Sequence, residues 1–490
     1  MRFGIDFGTT RTVVATVDRG NYPVVTMTDT AGDPQDHLPS VVALEGDRIV
    51  AGWRALERDN PTLTRSVKRL LTAPDVTAET PVRLGEQTRP LGEVLAAFAV
   101  EVVDTLREVA GDDAIEVVLG VPANALSAQR LLTLDAFTRA GATVLGLVNE
   151  PSAAAFEYTH RHARTLNTKR SSIIVYDLGG GTFDATLMRI DAHRHDVITS
   201  LGISRLGGDD IDAVLADLAL AATGRGDDVF GARARRRLLD EARTAKEQLR
   251  PQSRRIILEL GDDDVIVPVT DFHDDVTPLI ERTLAALRPL IGDSETLTDT
   301  DIAGIYLVGG ATALPLVPRL LRERFGRRVH RSPLPTASTA VGLAIAADPD
   351  SDYALNDRLT RGIGVFRESD SGAAVSFDPL VAPGAPAGDD GTITVTRRYR
   401  AAHNLGWFRF VEYAATADGE PGDLAPLAEV LVPFAADLAN VADLSQVTVE
   451  RRENGPEVIE TVTVDADGIT TITVEVPELD VQVQASAGEG

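Results

Sequence analysis

A chain of 490 residues with 43% hydrophobic and 25% charged content has the composition of a folded globular protein, long enough for two or three domains. Its 48 Lys and Arg against 74 Asp and Glu leave a net charge of −26, which argues against nucleic acid or an anionic membrane surface as partner but leaves room for a local basic pocket. The absence of cysteine excludes disulfides and thiolate metal sites; with no signal-peptide pattern after Met1 and no apolar run of bilayer length, the cytoplasm is the expected compartment.

Phe3 to Thr10 reads as an apolar strand that runs into Asp6 and then into Gly8-Thr9-Thr10, after which apolar alternation resumes from Thr12 to Val17. Glycine lets a backbone turn tightly and approach a ligand. Successive N–H groups in such a turn form a concavity for phosphate oxygens. A strand is expected at Pro39–Leu44 and a short helix over 51–60. Lys68 follows in Ser66-Val67-Lys68-Arg69-Leu70-Leu71. Only three lysines occur, Lys68, Lys169 and Lys246, in a chain otherwise rich in arginine. A retained lysine marks either a place where a compact ammonium is needed and a planar fork does not serve, or chance, the reading for Lys169; a stem lying over a helix face is the other reading of Lys68.

From Leu91 to Ala110 the spacing of Leu91, Val94, Leu95, Phe98, Val102, Leu106 and Val109 predicts one face of an amphipathic helix. A strand over Ile115–Val121 ends at Pro122, and a helix over Ala123–Ala140 is closed by Gly141. The strand Thr143–Val148 leads into Asn149-Glu150-Pro151, with Pro151 in the first turn of a helix to His162. Glu150 therefore stands at a strand's carboxyl end, the edge where open α/β sheets bind ligands. A carboxylate complementing the helix dipole would occupy the same place.

Ser172 to Val175 is a further buried strand, followed by Tyr176-Asp177-Leu178-Gly179-Gly180-Gly181-Thr182-Phe183-Asp184 and by alternation to Ile190. This repeats the N-terminal pattern about 170 residues on and suggests two homologous halves whose turns clasp one polyphosphate. Asp177 suits a water of hydrated Mg²⁺, and Thr182 a phosphoryl oxygen. Gly207-Gly208 opens another helix and has the form of an anion site. A charged helix over Arg233–Leu249 carries Lys246, and Gly309-Gly310 ends a third strand before the helices Leu316–Phe325 and Ser338–Ala347. Asp348 to Asp352 reads as an acidic linker. Beyond residue 360, strands at Thr392–Tyr399, Phe408–Tyr413, Gln446–Glu450, Glu460–Val464 and Thr470–Val476 predict a β-sandwich.

Ile5 to Thr10, Val67 to Leu70, Val121-Pro122-Ala123, Asn149 to Ala155, Tyr176 to Asp184, Leu206 to Asp209 and Val308-Gly309-Gly310 resemble, in order and spacing, the nucleotide-binding domain of the DnaK-type heat-shock chaperones, within the actin and sugar-kinase superfamily. The resemblance covers residues 2–347. It implies a duplicated α/β ATPase domain, actin-like and ribonuclease-H-like, over 1–347. It further implies a linker over 348–359, a sandwich-like β domain similar to the family's peptide-binding domain over 360–485, and a flexible tail over 486–490 in place of a helical lid.

By the same resemblance, Asp6 and Asp177 would position hydrated Mg²⁺, and Gly8, Thr9, Thr10, Gly179, Gly180, Gly181 and Thr182 would hold the phosphates of ATP or ADP. Gly207, Gly208, Lys246, Gly309 and Gly310 would complete the nucleotide site, Lys68 and Glu150 would orient the attacking water, and Pro122 and Arg130 match a family switch pair. The implied activity is slow hydrolysis of ATP coupled to the binding of unfolded or extended peptides, with co-chaperones as partners and neither nucleic acid nor membrane. A non-hydrolysing nucleotide-dependent scaffold of the same fold is the alternative; a small-molecule kinase would need a sugar-site motif that the chain does not display. The adenine grip departs from the family. Where its helix carries Glu, Lys, Arg and Ser, this chain has Arg243, Lys246, Glu247 and Arg250, and Ala313 and Thr336 replace a stacking Arg and a late Asp. Arg243 or Arg250 would have to reach in to compensate.

Overall fold

The computed structural model describes residues 1–490 apart from 57–61, 163–165, 168, 192–193, 204, 224–231, 261–262, 293–295, 298–299, 357–358, 370–373, 389, 416–420, 440 and 489–490. Two sheets are built on one plan. In the first, β1 (Arg2–Phe7) and β2 (Arg11–Thr16) form an antiparallel hairpin, β3 (Glu116–Val121) and β4 (Thr143–Asn149) add in parallel beside β1, and Leu38–Pro39 lies at the far edge. In the second, β5 (Ser172–Leu178), β6 (Phe183–Asp191) and β7 (Arg194–Ile203) run antiparallel, while β8 (Ile302–Val308) and β9 (Val329–Arg331) add in parallel beside β5. Phe7 pairs with Thr12 and Leu178 with Phe183, so both hairpins close over loops of equal length, 8–11 and 179–182. This is the duplicated α/β architecture expected from the repeat.

The helices fill the faces that such strands bury. In α1 (Leu91–Ala110) the apolar stripe continues through Val103, Leu106 and Ala110, which leaves Val109 42% exposed, contrary to the sequence expectation. The remaining helices that matter here are α2 (Ser127–Arg139), α3 (Glu150–His162), α4 (Gly208–Thr223), α5 (Ala232–Glu247), α6 (Leu316–Phe325) and α7 (Ser338–Ala347). The helix expected over 51–60 is found at Gly52–Leu56, and its remaining stretch lies outside the described residues. Helices α3 and α7 cross between the two sheets at a distance that only small residues allow. A Cβ on Gly342 would lie 1.7 Å from the Ala153 carbonyl oxygen, and one on Gly4 would lie 2.2 Å from the Ala344 nitrogen. Ala154, Ala155 and Tyr158 of α3 then pack against Ile173 and Val175, while Ala153 packs with Val118 and Leu343. One helix pair thereby fixes the separation of both hairpin loops.

The segment expected to be a linker contributes a strand. β10 (Ala354–Asn356) pairs in parallel with β7 as the outermost strand of the second sheet, Arg194 opposite Ala354 and Asp196 opposite Asn356. Tyr353 and Leu355, two residues apart and so on one face, pack on the cluster of Phe156, Val341 and Ile345.

The C-terminal residues form a sandwich of two antiparallel sheets. One orders β11 (Gly362–Ser369), β12 (Ala374–Val381), β14 (Leu405–Ala415) and β15 (Pro421–Pro433) as β12-β11-β14-β15; the other orders β13 (Ile393–Arg400), β16 (Glu457–Val464), β17 (Thr470–Val476) and β18 (Val481–Ser486) as β13-β16-β17-β18. The strand expected at Gln446–Glu450 does not form. That stretch follows a 3-10 turn, Leu444–Gln446, and its backbone groups bond to Asn404 instead: Asn404 Nδ2 donates to the Thr448 oxygen, and Asn404 Oδ1 accepts from the Glu450 nitrogen at 2.7 Å. Of the tail expected over 486–490, Ser486 ends β18 and Ala487 is buried, while 489–490 lie outside the described residues. Among the described residues no helix is long and apolar enough to cross a membrane.

The sandwich docks on the first sheet where β4 ends and α2 begins. Leu147 N donates to Asp467 Oδ1 at 2.6 Å, Arg130 Nη1 to the Asp467 carbonyl at 3.1 Å, Thr470 N to Ser127 Oγ at 2.7 Å, and Thr360 Oγ1 to the Ala123 carbonyl at 2.8 Å. Glu412 reaches from β14 to accept from the Ser127 nitrogen at 3.0 Å, satisfying an amide that the first turn of a helix leaves unbonded. Burial pushes the Glu412 carboxyl above the ordinary range, and the Ser127 N–H together with the charges of Arg361 and Arg130 offsets this only in part. A carboxyl raised in the folded state stabilises most below its unfolded pKa and loses that contribution as pH rises through its folded value. Glu412→Gln keeps an acceptor and removes the charge, so its stability relative to the parent should grow with pH above the carboxylate range. Glu412→Ala should cost about 1–3 kcal/mol. Denaturant unfolding of the three proteins from acid to neutral pH reads both effects.

Candidate functional site

The two hairpin loops face each other across a cavity of about 290 Å³. They approach closely because of their glycines. A Cβ on Gly180 would stand 2.6 Å from Thr10 Cγ2, one on Gly181 would stand 2.8 Å from Arg69 Nε, and one on Gly8 would stand 2.3 Å from the Arg11 carbonyl. Gly309, at φ +84°, lets the turn after β8 pass Asp177, whose Oδ1 would be 2.3 Å from any Cβ there. Asp6, Gly8, Thr9, Thr10, Lys68, Glu150, Asp177, Gly179, Gly180, Thr182, Gly208, Lys246, Gly309 and Gly310 all line the cavity. Gly181 and Gly207 stand behind it, Gly181 against Thr9 and Arg69, Gly207 against the backbone of Gly180 and Gly181.

The amides at the start of α4 do not face the cavity as a free anion site. Gly208 N and Asp209 N donate to the carbonyls of Gly179 and Gly180 at 2.9 and 2.7 Å, and Gly207 N donates to Asp210 Oδ2 at 2.8 Å. They brace the second loop instead.

Lys68 sits in a 3-10 turn, Val67–Thr72, entered through Ser66 at φ 56°. Its side chain is not draped over a helix. It is 6% exposed, its Nζ lies 2.6 Å from Glu150 Oε1, and it stands 5.6 Å above the centroid of the Phe7 ring. Burial alone would lower its pKa, but the Glu150 and Asp6 carboxylates outweigh that and hold it above the usual lysine value. Burial, reinforced by Glu150, pushes the Asp6 carboxyl up to about 7 against the pull of Lys68. Burial likewise takes Asp177 well above the carboxylate range, with Glu150, Asp184 and Asp6 adding to it.

Asp184 belongs to this group and was not singled out from the sequence. It lies directly opposite Asp177 in the β5–β6 register, burial pushes it up to about 7, and the Thr182 hydroxyl bonds to it. The signal was present: a second Asp seven positions on, one residue past the loop-closing pair. Four carboxylates, Asp184 buried and Asp6, Glu150 and Asp177 half-buried at the cavity wall, thus surround one ammonium, an imbalance that a divalent cation would reduce. Among the described residues no three acidic or histidine side chains converge closely enough to grip a bare ion. Oxygen-only donors of this kind suit a hard cation such as Mg²⁺.

The far end of the cavity, where a base would lie, is occupied by ion pairs. Arg243 is committed to Asp209 at 2.8 Å and Asp212 at 3.2 Å, and Lys246 to Asp212 at 2.6 Å and to the Gly208 carbonyl at 3.0 Å. Arg11, on the first loop, reaches Glu247 of α5 at 2.5 Å across the mouth. Arg250 lies in an exposed turn and does not line the cavity. Arg250 is thus not placed to compensate for the altered adenine grip, whereas Arg243 lines the cavity with its charge already paired.

A family model described as Hsp70 protein matches residues 2–354. The chain is 32% identical over 404 residues to the chaperone protein HscA of Proteus mirabilis and 34% identical over 405 residues to that of Cronobacter sakazakii, in each case over 74% of this chain and 61% of the relative. It is 33% identical over 501 residues to the chaperone protein HscA homolog of Methylibium petroleiphilum, over 94% of this chain and 77% of that protein. The chain thus spans about 61% of the length of the first two of these relatives.

Asp212 is buried and anchors two cations, whereas the Arg11–Glu247 pair is partly exposed. Asp212→Ala should therefore lower the unfolding free energy by about 3–5 kcal/mol, and Glu247→Ala by less than about 1 kcal/mol. Urea unfolding without ligand measures both.

Proposed function

Because this chain belongs to the Hsp70 family, we propose that it is an ATP-binding, Mg²⁺-dependent chaperone that hydrolyses ATP slowly and binds extended peptide segments through its C-terminal sandwich. The observation that carries the reading is the buried Lys68–Glu150 pair, 2.6 Å apart, between two glycine loops and beside Asp6, Asp177 and Asp184. Phosphoryl transfer to water asks a protein mainly to position groups and to balance charge. The loops 8–11 and 179–182 cradle the phosphates through backbone N–H groups, with Thr9, Thr10 and Thr182 offering hydroxyls. Lys68 and Glu150 hold the attacking water, Glu150 accepting its hydrogen bond and Lys68, 2.6 Å away, aiming that carboxylate. Asp6 and Asp177 would hold Mg²⁺ through its waters, and that ion would offset the phosphate charge.

We assign the nucleotide-binding unit to 1–347, a connector to 348–359 whose residues 354–356 join the second sheet, and a peptide-binding β unit that begins at 360 and runs through Ser486 and Ala487, with the cytoplasm as compartment and co-chaperones as partners. The HscA relatives bear the name of chaperone proteins, in keeping with this reading. Pro122, on the cavity wall, and Arg130, bonded to Asn149 Oδ1 at 2.6 Å and to Asp467, relay the state of the cleft to the sandwich.

A second reading rests on the base end of the cleft. With Arg243 held by two carboxylates and Glu247 and Ala313 in place of stacking arginines, a protein that binds nucleotide weakly and acts as a nucleotide-dependent scaffold is the alternative. Calorimetric titration with ATP, ADP and GTP, with phosphate release followed in parallel, separates the two. Under the chaperone reading, Lys68→Ala and Glu150→Ala keep nucleotide binding and lose about 10²–10³ in hydrolysis rate. Parent-like turnover by either variant, with unfolding temperatures matched, would remove the assignment.

A further inference from the structure

A groove of about 670 Å³ lies between β13, the outermost strand of its sheet, and β11 and β14 of the opposing sheet. We propose that this groove receives extended peptide segments in which acidic side chains accompany aromatic ones, a refinement that rests on the peptide-binding reading above. The geometry starts from β13. Its inward positions are Ile393, Val395, Arg397 and Tyr399, because side chains alternate along a strand. Ile393, Val395 and Tyr399 pack on the core, but Arg397 is exposed in the groove and has no ion-pair partner among the described residues. Arg398 and Arg400 project from the other face, their nearest carboxylates being Glu457 at 3.9 Å and Glu478 at 3.3 Å, on exposed side chains.

The deeper arginine of the groove is differently placed. Arg367 is held by Asp378 at 2.7 Å and by the buried Glu460 at 2.8 Å, so it is already neutralised and forms floor rather than recognition surface. Beside the rim arginines stand two exposed apolar side chains, Trp407 (42% exposed) and Val449 (45%). The Trp407 indole N–H donates to Glu429, Glu429 pairs with Arg409 at 3.4 Å, and the Arg409 guanidinium covers one face of the ring at 4.4 Å from its centroid, so the indole is held in place with its other face left for stacking.

Three features therefore coincide: an unpaired strand edge, under-neutralised cations on both of its faces, and an exposed aromatic. An edge strand accepts an incoming extended segment through main-chain bonds, while side chains set the choice of segment. An inward-pointing charge on such an edge opposes pairing with an ordinary apolar strand. A carboxylate on the incoming segment converts that obstacle into a partner, and its aromatic neighbour stacks near Trp407. The charge is local. The chain as a whole carries −26, so a dense polyanion such as nucleic acid is repelled by the remainder of the surface, whereas a short acidic segment meets mainly the groove.

The test uses the full chain and fluorescence anisotropy with labelled peptides of equal length: alternating Glu and Phe, alternating Gln and Phe, alternating Lys and Phe. The Glu–Phe peptide should bind at least about tenfold more tightly than the Gln–Phe peptide at low salt, and the preference should shrink as salt rises to about 0.5 M. The double variant Arg397→Glu with Arg398→Glu should abolish the preference and favour the Lys–Phe peptide. Trp407→Ala should weaken all Phe-bearing peptides while keeping their order. Circular dichroism and unfolding temperature verify that both variants fold. Equal or tighter binding of the Gln–Phe peptide, an unchanged preference in the double variant, or tighter binding of a single-stranded oligonucleotide would overturn the proposal alone. Failure to bind any peptide, with ATP still bound, would overturn it together with the peptide-binding part of the proposed function.

Discussion

The ammonium of Lys68 is surrounded by Glu150, Asp6, Asp177 and Asp184; Lys68 and Asp184 are buried, and the other three are half-buried at the cleft. Buried charges persist only when partners and hydrogen bonds compensate the loss of hydration. One cation cannot compensate four carboxylates, so part of the group must be protonated or must meet a further cation. Each contributor comes from a different place in the chain: β1, the 3-10 turn at 67–72, the start of α3, β5 and β6. They meet because α3 and α7 cross on small residues and hold the two sheets at one separation. A ligand that brings positive charge therefore acts on both halves of the fold together, and any species that binds the native state alone stabilises it by mass action.

The same start of α3 ties the cleft to the sandwich. Asn149 precedes Glu150, its side chain accepts from Arg130, and Arg130 in turn bonds to Asp467 on the turn between β16 and β17. Leu147, two residues earlier on β4, bonds to the Asp467 carboxylate. Two consecutive polar contacts thus lead from the residue beside Glu150 to a loop of the sandwich, and the Leu147 amide ties the same loop to β4. A conformational change is driven only by contacts that differ between states. The sandwich core is also continuous in packing with that of the first sheet, since Val464 and Ile472 fall in one apolar cluster with Phe3, Leu119 and Leu132. The docked arrangement is a packed interface and not a loose tether of two bodies.

Much of this was legible in the chain because it depended on local pattern. The two strand–Asp–glycine–Thr stretches gave the hairpins and their facing loops, and the scarcity of lysine drew attention to Lys68 and Lys246, both of which line the cleft. What escaped was decided by tertiary partners. That Lys68 and Glu150 share one site was implied by the family resemblance alone; their direct ion pair joins positions 82 residues apart, and no spacing rule reports it. The fate of Arg243 depended on Asp209 and Asp212 of another helix. In the sandwich, β15 was hidden by Pro421, Pro426 and Pro433; it is an edge strand, and Pro426 sits where the register shifts at Phe410 and Val411. Proline is tolerated there because the outer side of an edge needs no donor. The converse error, a strand at 446–450, arose from alternation without a sheet to join. The Asn404 side chain took the backbone groups that a neighbouring strand would have used.

The pairing of β10 with β7 also sets the leash on the sandwich. With 354–356 zipped to the sheet, only residues 357–361 separate it from the first strand of the sandwich at Gly362. An extended chain covers at most about 3.4 Å per residue, so that span reaches about 17 Å. If the strand peels away back to Asp348, fourteen residues (348–361) become available, and the reach grows to nearly three times that, about 48 Å. The effective concentration of one body at the other's surface falls roughly as the −3/2 power of tether length. Three residues of parallel pairing therefore govern how readily the sandwich, once detached, finds its docking face again.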